Sequence, residues 1–430
     1  MSWDPAALDT VVARLESGSR PKGGVSSDRG DIPSLGGENI LSSGGITLEG
    51  VKLVPESFHR RMTKGHLADG DVLINKDGAQ TGKVGWYHHP ADGGPACINE
   101  HVFLLRGDPG RISQGYLYYT LLSEAGQMQV RRQISGSAQP GLKRGFTKGV
   151  VVPLPTSVAE QAKIVDVLAA ADMAIECTRT SIAKQQRLRT GLMHDLLSRG
   201  IDPNGVVRSA STHPFQDSPF GPVPDDYNLK TFAQITPKGA PIGYGIVQPG
   251  PYDHAGVRVA GIYTINSEFR RWHMSSVKIE RAYIRSRIRV GDVLLSIKGT
   301  TGRVGVVPEG VEGNISRDVA RIRPGGAVDP YYLRFLMLSD FFQRYLLKAE
   351  VGTTRAELSI KILRELYVSV PPLDEQREVA KRLTAVEDGL KATETSLSKI
   401  ESLKRGLMQD LLTGKHQVKL PAIGDGGVTV

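Results

Sequence analysis

Apolar residues recur at alternating spacings of three and four along two stretches of this chain. In the first, Ile164, Leu168, Ala171, Ile175, Thr178, Ile182, Gln185, Arg189, Leu192 and Leu196 form one stripe. In the second, Val379, Leu383, Val386, Leu390, Thr393, Leu397, Ile400, Lys404, Leu407 and Leu411 form another. A mostly apolar seam held over this many turns predicts two helices that pair as a coiled coil. Each helix is expected to run roughly 55–60 Å at ~1.5 Å per residue. The polar seam positions Thr178, Gln185, Arg189, Thr393 and Lys404 weaken the pairing and help to fix its register. The other arrangement this spacing permits is two separate helices, each packed on its own domain. Pro153 and Pro155 precede the first stripe, Pro371 and Pro372 the second, and Gly200 and Gly414 follow them, as start and stop signals should.

Outside these stripes the period shortens. Asp71–Asn75, Lys83–Tyr87, Asp292–Lys298 and Arg303–Val307 are short, β-branched and punctuated by glycine, which is strand-and-turn chemistry. Helical periodicity returns near Gly115–Met128 and Pro330–Leu347. Each globular stretch therefore reads as a curved sheet with a few helices.

The two halves repeat one another. Residues 160–197 and 375–412 align without gaps at an offset of 215, half of the 430-residue chain, and 15 of 38 positions are identical. Among them are Glu160-Gln161 with Glu375-Gln376, and Gly191-Leu192-Met193 with Gly406-Leu407-Met408. Upstream, Gly70-Asp71-Val72-Leu73 matches Gly291-Asp292-Val293-Leu294, and Thr81-Gly82-Lys83-Val84-Gly85 matches Thr301-Gly302-Arg303-Val304-Gly305. A period this long is domain-sized, not that of a solenoid. The expected fold class is α+β: two tandem mixed domains, each followed by a long helix, with the helices pairing antiparallel. The expected boundaries are 1–152 for the first domain, 153–200 for its helix, and 201–220 for a Pro-rich linker. The second domain then takes 221–370, its helix 371–415, and a tail 416–430.

Composition narrows the class. Hydrophobic residues at 40% and charged residues at 23% are globular values. Two cysteines, Cys97 and Cys177, cannot build a disulfide framework and point to the reducing cytoplasm. No apolar run reaches the length of a membrane span, and Met1-Ser2-Trp3-Asp4-Pro5 lacks a signal peptide's basic start. The net charge of +9 is uneven. Arg258 to Arg323 holds 13 basic and 6 acidic side chains, and Arg131 to Lys148 holds five basic residues and no acid. Such stretches suit phosphate binding, since each neutralised phosphate releases counterions.

Catalytic signatures are missing. Gly78-Ala79-Gln80-Thr81-Gly82-Lys83 has three residues between its glycines where a phosphate-binding loop has four, and Val84 follows where Ser or Thr is needed. His88 and His89 are adjacent, and there is no H-E-x-x-H or paired C-x-x-C, so no metal site is expected. No acidic residue is followed by x-Lys, and the Asn/Asp-Pro-Pro-aromatic tetrapeptide of amino-methyltransferases is lacking. The chain is therefore expected to be non-catalytic and to hold no cofactor of its own.

Two divergent basic domains on matching helices resemble the specificity subunit of type I restriction–modification enzymes. The resemblance rests on Pro371-Pro372-Leu373-Asp374-Glu375-Gln376 leading into the second helix, and on Gly406-Leu407-Met408-Gln409-Asp410-Leu411-Leu412-Thr413-Gly414 ending it. The turn Gly299-Thr300-Thr301-Gly302-Arg303-Val304-Gly305 and the run Tyr244-Gly245-Ile246-Val247-Gln248-Pro249-Gly250 add to it. The resemblance implies that each domain reads one half of a bipartite target in double-stranded DNA. It also implies that the helices form a spacer on which two modification (methyltransferase) subunits dock. Those partners bring S-adenosylmethionine, and a further restriction or translocase subunit brings ATP and Mg. The competing reading is a coiled-coil scaffold whose basic faces are incidental.

Candidate DNA contacts follow from turn chemistry and charge. Lys76, Gln80, Thr81 and Lys83, with Lys298, Thr300, Thr301 and Arg303, sit on the repeated glycine turns, where small residues let backbone approach phosphate. Gln139, Lys143 and Arg144 lie on the loop before the first helix; Thr353, Thr354 and Arg355 lie on the second. Arg270 and Arg271 stand in the basic stretch. Arg and Gln can pair bidentately with guanine and adenine edges, while a plain hairpin with an exposed cation explains the turns equally well.

Overall fold

The computed structural model describes residues 3–22, 30–90, 93–136, 140–349 and 357–416. The chain divides into two compact units, residues 1–179 with 395–430 and residues 180–394, and each long helix contributes one part to each unit.

In the first unit an antiparallel sheet runs in the order Val12–Ser17, Val102–Gly107, Val72–Asn75, Val84–Trp86. A second sheet sets Ile32–Leu35 between Lys52–Val54, antiparallel to it, and Cys97–Ile98, parallel to it. Asp4–Ala7 pairs with Val151–Leu154, the strand that leads into the long helix Val158–Ser198. Alternation along the central strands sends Val72, Ile74, Phe103 and Leu105 to a large core and Leu73, Val102 and Leu104 to a smaller one. The large core also takes the helix Gln114–Leu122, Ile164, Leu168, Met408 and Leu411 from the long helices, and Leu412 just past the second.

The second unit repeats this plan. Its four-stranded sheet runs Gly243–Tyr244, Val319–Ile322, Val293–Ser296, Val304–Val306. Its three-stranded sheet sets Val257–Ala260 between His273–Ser275 and Asn314–Ile315. Asn228–Thr231 pairs with Tyr367–Val370 ahead of the helix Leu373–Leu411. Of the four segments read as strands, Val72–Asn75 and Val293–Ser296 form inner strands and Val84–Trp86 and Val304–Val306 edge strands of these sheets, and the two helical stretches each resolve into two helices. They are Gln114–Leu122 with Glu124–Arg132, and Pro330–Leu338 with Asp340–Lys348. The break has the same cause in both: the Ser123 and Ser339 side chains cap the second helix, accepting from Gly126 N and Phe342 N.

The repeated Glu-Gln pair acquires a physical reason here. Gln161, buried, accepts from Ser113 N at 2.8 Å and donates to Arg111 O at 2.9 Å. Gln376 accepts from Asp329 N at 2.8 Å and donates to Ala327 O at 3.0 Å. In each unit one amide thus fastens the start of a long helix to the loop that begins a domain helix.

The Pro-rich stretch after Gly200 lies against the start of the second long helix. Arg208, 7% exposed, makes a bidentate pair with Glu375, at 2.6 Å to Oε1 and 3.0 Å to Oε2. Glu375 also accepts from Tyr227 Oη and from Ile201 N. Residues 417–430 of the expected tail lie outside the described residues.

Candidate nucleic-acid interface

Both glycine turns are built the same way. Gly78 and Gly82 take φ of +84° and +89°, and Gly299 and Gly302 take +77° and +90°. These are left-handed values that other residues adopt only with strain, so the turn requires its glycines. In the first unit Gly82 N donates to Asn75 O at 2.8 Å; in the second, Gly302 N donates to Ser296 O at 3.1 Å. The Walker-like segment is therefore a hairpin turn between two sheet strands.

The loop preceding each long helix lies beside its turn. Leu142 N donates to Lys76 O at 2.6 Å, Gly78 N to Pro140 O at 3.1 Å, and Thr81 Oγ1 to Pro140 O at 3.0 Å. In the second unit Leu358 N donates to Ile297 O at 3.0 Å. The structure thus brings Lys76, Gln80, Thr81 and Lys83 together with Lys143 and Arg144, two groups some sixty residues apart in sequence. Gln80, Lys143 and Arg144 are exposed, and Lys83 is half-buried. Lys76 is half-buried, reaching Ser17 Oγ at 3.4 Å and lying over the Phe103 ring. In the second unit Thr300 and Arg303 are exposed, Thr301 is half-buried, and Lys298 is paired with Glu357 at 2.8 Å. Gln139, Thr353, Thr354 and Arg355 lie outside the described residues.

Arg270 and Arg271 are exposed and follow the left-handed residues Glu268 and Phe269. Glu268 sits 3.8 Å from Arg270 and also pairs with Lys391 of the long helix. Sequence reasoning did not single out the pairs that brace the turn-bearing sheets. Arg106 bonds both carboxylate oxygens of Asp71 at 2.6 and 2.8 Å, and Arg323 bonds those of Asp292 at 2.6 and 2.7 Å. The two aspartates, one per copy of the Gly-Asp-Val-Leu run, are almost fully buried. Each holds its arginine above the usual guanidinium value through the hydrogen bond it accepts. The repeated aspartate in that run was the signal that could have found them.

Every seam position named from the sequence is buried or half-buried on its helix. In the first unit Ile164 and Leu168 pack with Met408 and Leu411, Lys404 bonds Asp172 at 2.5 Å, and Arg179 bonds Glu401 at 2.8 Å. In the second, Leu196 packs with Val379 and Leu383, Arg189 bonds Glu387 at 3.0 Å, and Gln185 bonds Thr393 at 3.2 Å. Low residue numbers on one helix meet high numbers on the other, so the segments pair antiparallel in each unit. Gln185, Arg189, Thr393 and Lys404 find partners across the helix pair, while Thr178 donates to Ala174 O of its own helix at 2.7 Å.

No helix among the described residues is long and apolar enough to cross a membrane. No group of His, Cys, Asp and Glu among them is arranged to hold a metal ion.

A family model described as type I restriction modification DNA specificity domain matches residues 3–185 and 263–402. The chain is 22% identical to the type I restriction enzyme EcoBI specificity subunit of Escherichia coli, covering 96% of this chain and 86% of that one. It is 22% identical to the MjaVIII specificity subunit of Methanocaldococcus jannaschii, covering 82% and 80%. The crystal structure of the type I restriction–modification S subunit from M. genitalium has the same fold, with a TM-score of 0.57 at 15% identity over 96% of each chain. A chain from a structure of type I R-M complex assembly and conformational transition also scores 0.57 at 15% identity, covering 96% of this chain and 98% of that one.

Proposed function

This chain belongs to the type I restriction–modification DNA specificity family, and from that premise we propose that each unit reads one half of a bipartite DNA target. The observation that carries the reading is the duplication of fold without duplication of surface. Both units keep the same sheets, turn, aspartate–arginine brace and Gln clamp, while the exposed side chains beside the turns differ. Repeated structure with divergent surface is what two readers of unlike half-sites need, because the bases vary while the mounting does not. The paired helices set the half-site spacing and dock two modification subunits. S-adenosylmethionine comes with those subunits, and ATP and Mg with a restriction or translocase subunit; this chain supplies target choice and no bond-making step. It works in the cytoplasm, where its DNA lies.

The test is modified-base sequencing of a naive host that expresses this chain with its methyltransferase partner. A split motif, methylated on both strands and lost when this chain is omitted, is the expected result. No new methylation from two proteins that co-purify, with a methyltransferase that still binds S-adenosylmethionine, overturns the reading in favour of a scaffold.

A further inference from the structure

The second unit carries an open groove of about 910 Å³ lined by Lys238, Arg285, Arg287, Arg289, Arg321 and Arg323, with Glu312 in its wall. Arg287 and Arg323 are already engaged, bidentate to Glu280 and Asp292. Lys238, Arg285, Arg289 and Arg321 have no salt bridge among the described residues. Once Glu280, Asp292 and Glu312 are counted against the six cations, three positive charges are left over.

Arg321 is the unusual one. It is 4% exposed, and its guanidinium donates to the carbonyls of Arg285 at 2.8 Å, Arg287 at 2.9 Å and Pro241 at 3.1 Å. Its buried Nε has no partner among the described residues. Carbonyl dipoles orient the group but carry no net charge. Burial, with Arg323 and Arg289 nearby, pushes its pKa down against the opposing charge of Asp292, yet a guanidinium stays charged at any working pH. A buried charge with no salt bridge of its own is costly, and the carboxylate nearest to it in effect, Asp292, is already engaged by Arg323.

The internal repeat provides the comparison. Leu73 and Leu294 hold the same place in the repeated Gly-Asp-Val-Leu run; Leu73 pairs with Leu104 on the neighbouring strand, and Leu294 pairs with Arg321. Two residues further on, Arg106 and Arg323 make the same brace, so the register is secure. Where the first unit places a fully buried leucine in its smaller core, the second places a charge. Beside Arg321 stands Gly243, where an added Cβ would meet nothing within 4 Å. The groove also shares Pro241, Ile284, Arg285 and Arg321 with an adjoining one of about 400 Å³, whose wall adds Arg281, Arg364 and the exposed ring of Tyr244.

We propose that this groove is a phosphate site of the second unit alone, taking backbone phosphates of duplex DNA beside that unit's half-site. Guanidinium forks grip phosphate oxygens bidentately, and a continuous run of them suits a chain of phosphates better than one small anion. The assignment rests on the DNA-reading function proposed above. It makes the two units unequal: the second contributes more of the sequence-independent, salt-sensitive binding.

The test uses the full chain, co-expressed with its modification subunit, and the double variant Arg285→Ala/Arg289→Ala, both at exposed positions on the groove rim. Affinity for a fluorescent duplex of arbitrary sequence is measured against salt. Loss of two phosphate contacts should make the slope of log K against log salt shallower by about 1.8, with the methylated motif unchanged. A wild-type slope in the double variant overturns the groove while leaving DNA reading intact. No duplex binding by the wild-type complex overturns both. Calorimetry with pyrophosphate supplies a further arm: binding by the wild type but not the variant, without a change in slope, identifies a small-anion site and overturns the DNA assignment.

Discussion

Single side chains show how the two copies have drifted apart inside one fold. Glu160 and Glu375 are identical in sequence, yet Glu160 is held by Thr156 at 3.2 Å whereas Glu375 neutralises buried Arg208 and accepts from Tyr227. Glu375→Ala should lower the stability of the second unit by about 3 kcal/mol, because it leaves a buried cation with only the longer 3.5 Å pair to exposed Asp226. Glu160→Ala should cost the first unit about 1 kcal/mol, the value of an ordinary hydrogen bond. Hydrogen exchange resolved by unit reads both, and equal losses would contradict the asymmetry. Glu280 gives a pH signature. The Arg287 hydrogen bond holds its carboxyl below the usual range, against the opposing effect of burial and with help from Asn314. Its folded pKa is therefore lower than its unfolded one. The stability it contributes is complete above roughly pH 5 and is lost as pH falls through the folded value. Glu280→Gln should flatten the decline in urea-unfolding midpoint on the acid side; an unchanged acid limb would show that the pair contributes nothing.

At the scale of elements, the long helices carry a feature that intrachain packing does not explain. Gly191 and Gly406 are the same residue in the two repeats, both inside helices and both exposed, and an added Cβ at either would meet nothing within 4 Å. Their neighbours Met193 and Met408 are buried in the cores. Alanine at either site should stabilise the free chain by about 0.5–1 kcal/mol, since glycine is the poorer helix former. If the glycines are kept for close approach by docked modification subunits, the same substitutions should weaken assembly. Thermal melts of the free chain and co-purification of the complex separate the two effects. A double variant that melts higher and assembles normally would show the glycines to be dispensable for docking.

For the whole molecule, the duplication makes recognition modular. A chain in which residues 221–370 are exchanged for the corresponding domain of another specificity subunit should methylate a hybrid motif. The half read by the first unit should stay as it was and the other half should change. Modified-base sequencing of the host reads this directly; a motif altered in both halves would mean that the units do not read independently. The expectation is physical: each unit has its own apolar cores, and the helix segments pack into the core of the unit to which they belong.

The sequence by itself determined the repeat, the two seams and the glycine turns, because each is local. Helical period, glycine spacing and an ungapped match need no partner from elsewhere in the chain. It also showed that Glu160-Gln161 and Glu375-Gln376 recur, but not that the glutamine clamps a loop some fifty residues upstream. Tertiary structure decided the rest. It joined the turn at Lys76–Lys83 to Lys143 and Arg144, and it packed the Pro-rich stretch through Arg208 onto Glu375. It also set Arg321 where the other copy keeps Leu104. The local excess of basic residues from Arg258 to Arg323 was legible, but Arg285, Arg289 and Arg321, which have no salt bridge among the described residues, could not be told from those that have one. Ion pairing depends on which strands meet, and strand register across a sheet is a long-range property that no local pattern encodes.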